Sequence, residues 1–384
     1  MRRTMFFLSL VLVVAMARPT LAACPGTSTC KPNVGCPRGS IIVSQGQSIQ
    51  NAINAAGCAA TICVKPGTYS GLINFKGKKI NLLSSNGPAV TILNGAALGP
   101  VVSFKTAEGP ASILDGFPTI RNCIIQRNVA AATSTNNFPR GGGAWVGGAS
   151  AKPVITCTRF IGNQAGYAGG GLLTGGFADP YLQLDDFESN TAPYGGAIAA
   201  YSSGRLDVGT TLFQANQATG DGGAIHAGVV YGNVLVRQCW FKGNKAGGSG
   251  GGIWVPAGLA QVINDTFDGN QASQGGGVAA GFGGMVDVAS TIFVNNTGTA
   301  LVNTQPTGSN TSVVNHYNAF FNNTGGTFQD TYGDLAPLLA DPQLNNSCCP
   351  AAGSPAIGAG IPDSLFNDAN GTRNDMGACG GPAM

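Results

Sequence analysis

Few residues of this chain could do chemistry, and a repeat is needed to bring them together. Asp207 and Arg237 lie 30 positions apart. An arginine beside an acid can withdraw the proton next to a uronate carboxylate while the acid or a bound cation neutralises that carboxylate; the arginine must be of lowered basicity or the metal present. Calcium takes about six to eight oxygen ligands, so Ca2+ is expected only if this lyase chemistry holds; no other cofactor is expected, and an exposed ion pair is the plainer reading. "LDDFESN" gathers Asp185, Asp186 and Glu188, the densest acidic cluster. A glycosidase needs two carboxylates flanking a sugar, about 5 to 10 Å apart. A third set is aromatic: Trp145, Tyr201, His226 and Trp254 suit stacking on sugar rings or seating a protein partner. His226 is a lone histidine with no assigned carboxylate, which favours a surface residue over an acid or base.

Eleven cysteines complete the inventory. Cys58 and Cys63, in "GCAATIC", are close enough to clip a short loop, and Cys379 is expected to pair with Cys348 or Cys349. Cys24 follows Leu21, Ala22 and Ala23 in the manner of a bacterial lipobox, which makes it a lipidation candidate beside simple signal cleavage. Zinc is not expected: the chain has no C-x-x-C pair and two histidines.

What could position these groups is a repeat. Aligned on F-x-x-N-x-A, eight asparagines (128, 163, 190, 216, 244, 270, 296 and 323) fall in one column at spacings of 35, 27, 26, 28, 26, 26 and 27. A period in this range signals a solenoid, and the long interval holds the insertion "VAAATSTNNFPR". Three positions before each asparagine stands Ile125, then Phe160, Phe187, Phe213, Phe241, Phe267, Phe293 and Phe320. Runs such as "RLDV", "NVLV" and "MVDV" alternate with a period of two, and no repeat has helical periodicity. Each unit therefore makes about three short strands with Gly-rich corners, one coil of a parallel β-helix. Coils about 4.8 Å apart would set Phe on Phe and let each Asn donate and accept along the stack.

Strand parity then sorts the candidates. Seven before each asparagine, Arg121, Thr156, Gln183, Gly209, Arg237, Ile263, Ala289 and His316 point outward, with Asp207 and Asp287 nearby on the same face. Asp185 falls in a column of Cys123, Thr158, Thr211, Cys239, Asp265, Thr291 and Asn318, which favours a polar ladder at a bend over catalysis. After the glycines, a column of Trp145, Leu173, Ala199, His226, Trp254 and Ala279 is expected on an exposed face. At the front, "SIQNAINAA" offers Ser48 as a cap and puts Ile49, Ala52, Ile53 and Ala56 on one helical face, a plug for the open edge.

Composition narrows the class. Charged residues are 10% of 384, the net charge is +3 and no basic cluster occurs, so nucleic acid is not a partner. Residues 1–23 have the layout of a secretory signal peptide, and no later apolar run is long enough to span a bilayer. Segment 24–40 is Cys-containing, 41–335 the β-helix and 336–384 an irregular cap. Six N-x-S/T sequons, at Asn264, Asn295, Asn310, Asn322, Asn345 and Asn370, would carry sugar in a eukaryotic secretory pathway.

The F-x-x-N and G-G-A-I alternation over about 122–326 resembles the repeats of the polymorphic outer-membrane proteins. "SIQNAINAA", "VKPGTY", "INLLSSNGPAVTILNG" and "SILDGF" are similar to the front of secreted proteins with the pectin-lyase-like right-handed parallel β-helix fold, and "SPAIGAG" and "NGTRNDMGACGGP" to its closing segment. The resemblance implies an all-β, right-handed parallel β-helix in the cell envelope or outside the cell. That fold hosts lyases, hydrolases, esterases, epimerases and adhesins alike. The outer-membrane relatives carry a translocating barrel, whose roughly ten-residue alternating strands do not follow these repeats, so self-translocation is not expected. The acid and arginine strings of pectate lyases, the G-H-G turn of polygalacturonases and the Q-D-T-L-like segments of pectin methylesterases are absent from the sequence. The expectation is a monomeric, adhesin-like β-helix that binds polysaccharide or a cell-surface protein, with a uronate lyase as the competing class.

Overall fold

The computed structural model describes residues 30, 35–57, 59–95, 99–104, 118–131, 141–149, 151–201, 204–305, 310–329, 331–346 and 348–382. The signal segment, Cys24, Cys58 and most of the insertion lie outside them.

The second strand of each repeat explains the whole fold. In Arg159–Ile161, Asp186–Glu188, Leu212–Gln214, Trp240–Lys242, Thr266–Asp268, Ile292–Val294 and Ala319–Phe321, the central Phe points inward and pairs in register with the next Phe. The rings stack nearly parallel, with centroids 4.5 Å apart for Phe160 and Phe187, 5.3 Å for Phe187 and Phe213, and 4.7 Å for Phe213 and Phe241. The file continues through Phe267, Phe293 and Phe320. Each ring is fully buried, worth about 2–3 kcal/mol in water excluded. The repeated residues therefore recur because they touch.

These strands form the second face of a three-sided tube, a sheet of ten strands. The first face carries strands such as Val154–Thr156, Tyr181–Gln183 and Arg205–Gly209; the third carries Ala144–Gly147, Leu172–Gly175 and Ile198–Tyr201. Two long strands, Ile225–Arg237 and Ile253–Ile263, run from the third face onto the first without a break and merge the two into one 20-stranded sheet. All ladders that build the faces are parallel, as in Tyr181–Gln183 on Arg205–Gly209 and Leu172–Gly175 on Ile198–Tyr201. The chain is thus a parallel β-helix, and crossovers between parallel strands of one sheet give it the right-handed sense.

The asparagine column turns the corner between the second and third faces. Asn216 Nδ2 donates to Asn244 Oδ1 at 2.9 Å and to Phe187 O at 2.8 Å, while its Oδ1 accepts from Asn190 Nδ2 and N at 3.0 Å. The same pattern links Asn163 to Asn190 and Asn244 to Asn270 to Asn296. From Asn128 to Asn296 the carboxamides are buried and hydrogen-bonded along the stack, and Asn323 ends the ladder half-buried.

The first glycine of the G-G-A-I and G-G-G-I strings is left-handed, at φ 62° to 70° for Gly195, Gly222 and Gly250, and residues with a Cβ share the other corners. The residue before each ladder asparagine is left-handed, including Arg127, Ser189, Ala215 and Asn295 at φ 53° to 57°. So is the residue between the first two faces: Asn122, Cys157, Leu184, Thr210, Gln238, Asn264, Ser290 and Tyr317 have φ of 46° to 59°. Glycine is required at the third corner, where a Cβ on Gly223 would meet Gly251 O at 2.2 Å. Close approach of the next coil selects glycine there.

The front helix, Ile49–Ala55, is capped by Ser48 Oγ, which accepts from Asn51 N at 3.2 Å. Ile49 and Ile53 are buried against the first strands. Lys78 Nζ donates to the carbonyls of Ile53, Asn54 and Ala56 at the negative end of the helix.

Disulfide pairing corrects the expected loop clip. Cys63 bonds Cys36, not Cys58, because the N-terminal segment lies along the first coils. Cys30 bonds Cys157 across a separation of 127 residues. Cys349 bonds Cys379, as one of the two expected pairings had it, and Cys123, Cys239 and Cys348 are buried thiols.

Past the last strands the chain doubles back along the flank of the tube. Ala356 and Met376 pack on the outer side of Ile292, Val294 and Ala319, and Cys348 and Ala378 pack on Trp240. Gln238 Nε2 donates to Gly380 O at 2.7 Å, and Asn264 Nδ2 donates to Asn374 Oδ1 at 2.8 Å. The sequon asparagine Asn264 is therefore buried, whereas Asn295, Asn310, Asn322, Asn345 and Asn370 are exposed.

Candidate functional site

The proton-abstracting pair is closed on itself. Asp207, with 13% of its side chain exposed, receives Arg205 Nη2 at 2.9 Å on one oxygen and Arg237 Nη2 at 3.2 Å on the other. Two guanidinium groups neutralise the acid and repel a cation from it. This donor set does not fit calcium. Further along the same face, His316 Nε2 stands 3.8 Å from Asp287 Oδ1, and burial raises the Asp287 pKa against the pull of the histidine.

The acidic cluster is divided by strand alternation. Asp186 and Glu188 point outward and hold Arg159 at 3.3 and 3.1 Å. Asp185 points into the tube, where its Oδ1 accepts from Thr158 N at 2.7 Å. The column it belongs to is a second ladder: Asp265 Oδ1 accepts from Cys239 N at 2.7 Å, and Asn318 Oδ1 from Thr291 N at 2.8 Å. Burial drives the pKa of Asp185 and Asp265 well above the ordinary carboxylate value. Burial likewise pushes the Cys123 thiol up to about 12. Neither acid can flank a sugar.

The third face brings the predicted column together and then covers it. Trp145 pairs with Leu173, Leu173 with Ala199, Ala199 with His226, His226 with Trp254 and Trp254 with Ala279. All point away from the tube axis, opposite to core residues such as Ile225, Ala227 and Ile253. Yet His226 is only 7% and Trp254 4% exposed, so the open aromatic platform is not there. Tyr167 and Tyr194, four positions after their ladder asparagines, rise from one side, and Tyr201 from the other. The Tyr194 ring lies 5.5 Å edge-on to His226, Tyr201 lies 5.0 Å from it, and Tyr167 reaches within 6.2 Å of Tyr201. Burial lowers the His226 pKa to about 4, and its buried Nδ1 lacks a hydrogen-bond partner among the described residues. It is a neutral imidazole in an aromatic cluster.

Beyond Trp254 the same trough opens. A groove of about 370 Å³ is lined by Ser273, Gln274, Thr299, Val302, Asn303, Thr304, Gln305 and Gln329. Val302 continues the column from Ala279. Phe282, 76% exposed and left-handed at φ 54°, stands edge-on to Trp254 with centroids 6.1 Å apart. Sequence reasoning missed these residues because an irregular rim, not the repeat, carries them. The constant offset of Tyr167 and Tyr194 from the asparagines was the one available signal.

Residues 210–228 match the repeat of the Chlamydia polymorphic membrane proteins. Over 100 residues, 24% of this chain, the sequence is 39% identical to a probable outer membrane protein PmpG of Chlamydia muridarum (strain MoPn / Nigg). The match spans about a tenth of that relative's length, 10% of it. A crystal structure of pectate lyase Pel9A superposes with a TM-score of 0.46 at 13% identity, over 91% of this chain and 98% of that one. The catalytic domain of a GH87 α-1,3-glucanase does so at 0.34 and 12%, over 81% and 70%. At these scores the two structures add nothing to the fold already described. The matched stretch, residues 210–228, covers less than one turn of the β-helix.

Proposed function

We propose that this β-helix works by binding, as an adhesin-like protein of the cell envelope or exterior whose ligand is a polysaccharide or a cell-surface partner. The supporting observation is the trough of the third face, filled by aromatic rings along one stretch and open along the next. The lyase alternative loses support where Asp207 is held by Arg205 and Arg237 at once. The outer-membrane description of the relative and its repeat motif supports the location. Purified protein should be retained on a polysaccharide panel or on whole cells, with and without calcium, while absorbance follows unsaturated products. Retention without product supports binding; calcium-dependent release of unsaturated oligosaccharides would replace it with a uronate lyase.

A further inference from the structure

We infer that the open end of the third-face trough is a binding site for an uncharged glycan; this rests on the binding function proposed above and specifies its ligand. Three observations carry it. First, the groove is walled by hydroxyls and carboxamides, and no charged side chain among the described residues lines it. Such a surface offers paired donors and acceptors to sugar hydroxyls, and nothing in it would neutralise a uronate or a sulfate.

Second, the hydrogen-bonding groups are placed unequally. Asn303 is committed to its own turn, with Oδ1 accepting from Gln305 N at 3.0 Å and Nδ2 donating to Thr311 O. Thr304 and Ser273 hydroxyls donate to Ala280 O and Gly248 O and keep lone pairs toward the groove. The side-chain amides of Gln274 and Gln305, both lining the groove, make no hydrogen bond among the described residues. Two such carboxamides in a groove that also exposes apolar Val302 suit a ring with hydroxyls on its edge and C–H groups on its face.

Third, an aromatic residue stands at the rim in a backbone conformation that disfavours it. Phe282 is left-handed and three-quarters exposed. Its neighbour Gly281 lies so near the Thr304 hydroxyl on the groove wall and the Trp254 ring that a Cβ would come within 2.6 Å of both. Beside a polar groove, an exposed aromatic face stacks on sugar. Phe177 has the same left-handed backbone and is 49% exposed, but it follows the strand of Leu173, where tyrosines fill the trough. It serves as the internal control.

The test is titration of the full chain with uncharged glycans (a mannan, a β-glucan and a galactan) and with polygalacturonate and heparin. Parallel titrations use Phe282→Ala, the double variant Gln274→Ala with Gln305→Ala, and Phe177→Ala. Urea midpoints confirm that each variant folds. An uncharged glycan should bind, Phe282→Ala and the double variant should each weaken it about tenfold, and Phe177→Ala should leave it within twofold. Binding unmoved by the groove variants, or preference for the anionic glycans, overturns the site while the binding function stands. Absence of glycan binding with retention on cells also overturns it and points to a protein partner. Failure to bind glycans and cells alike removes both.

Discussion

Asp265 lies wholly inside the tube, and its second oxygen, like that of Asp185, has no partner among the described residues. Its folded pKa is raised above the unfolded value of about 3.9, so the folded chain holds a proton that the unfolded chain releases. Stability from this group is therefore fully present below the unfolded value and is lost as pH rises through the folded one. Asn318 occupies the same column and shows the remedy: its Nδ2 donates to Val288 O at 2.9 Å, one coil back. Asp265→Asn should reach Val236 O in the same way, raise stability at pH 8 by about 1–2 kcal/mol, and narrow the gap between urea midpoints at pH 5 and pH 8. A gap as wide as in the unaltered protein would contradict the buried neutral acid. The Asn ladder makes the opposite case. Asn216→Ala would take the side-chain acceptor from Asn190 N and Nδ2 and the donor from Phe187 O, leaving Asn244 Oδ1 with the backbone N–H of residue 216, and should lower stability by about 2–3 kcal/mol. Exposed Gln217→Ala, one residue on, should change it by less than about 0.5 kcal/mol, and equal urea midpoints for the two would sink the ladder's role.

Among the elements, strands were legible and their coverings were not. The Phe and Asn columns could be seen because a stacked residue meets its own counterpart, so the sequence period is itself the contact map. The column through His226 and Trp254 was legible in register for the same reason. Its burial was not, since Tyr167, Tyr194 and Tyr201 come from different coils and close over it only when the rims are built. The pairing of Cys30 with Cys157 was likewise hidden, because residues outside the repeat obey no period. The C-terminal strap belongs to this hidden class. It buries Trp240 beneath Cys348 and Ala378 and is tied by Cys349–Cys379, a loop of separation 30, whose closure is worth about 3 kcal/mol. Replacing both cysteines by serine should shift tryptophan emission to the red and leave the far-ultraviolet strand signal in place. An unshifted emission would mean that packing alone holds the strap.

Over the whole molecule, most contacts join one coil to the next, so stability is close to a sum of neighbour terms. The N-terminal disulfides and the strap add longer ties. Cys30–Cys157 and Cys36–Cys63 secure the front, and Gln238, Asn264 and Ser290 anchor the strap to three successive coils. The first face carries ion pairs, the second is sheathed over its C-terminal part by the strap, and the third carries the aromatic cluster and the groove beyond it.

The left-handed corners and unbroken ladders mean that this architecture counts in whole turns. Excising Gln217 to Asn244, 28 residues, would splice one asparagine onto the next lattice position and leave a shorter rod of the same cross-section. Loss of a single residue would throw every downstream ring and amide out of file. The excised chain should still melt cooperatively, whereas deletion of Ala215 alone should yield insoluble material; the reverse result would show that the turns are not interchangeable units.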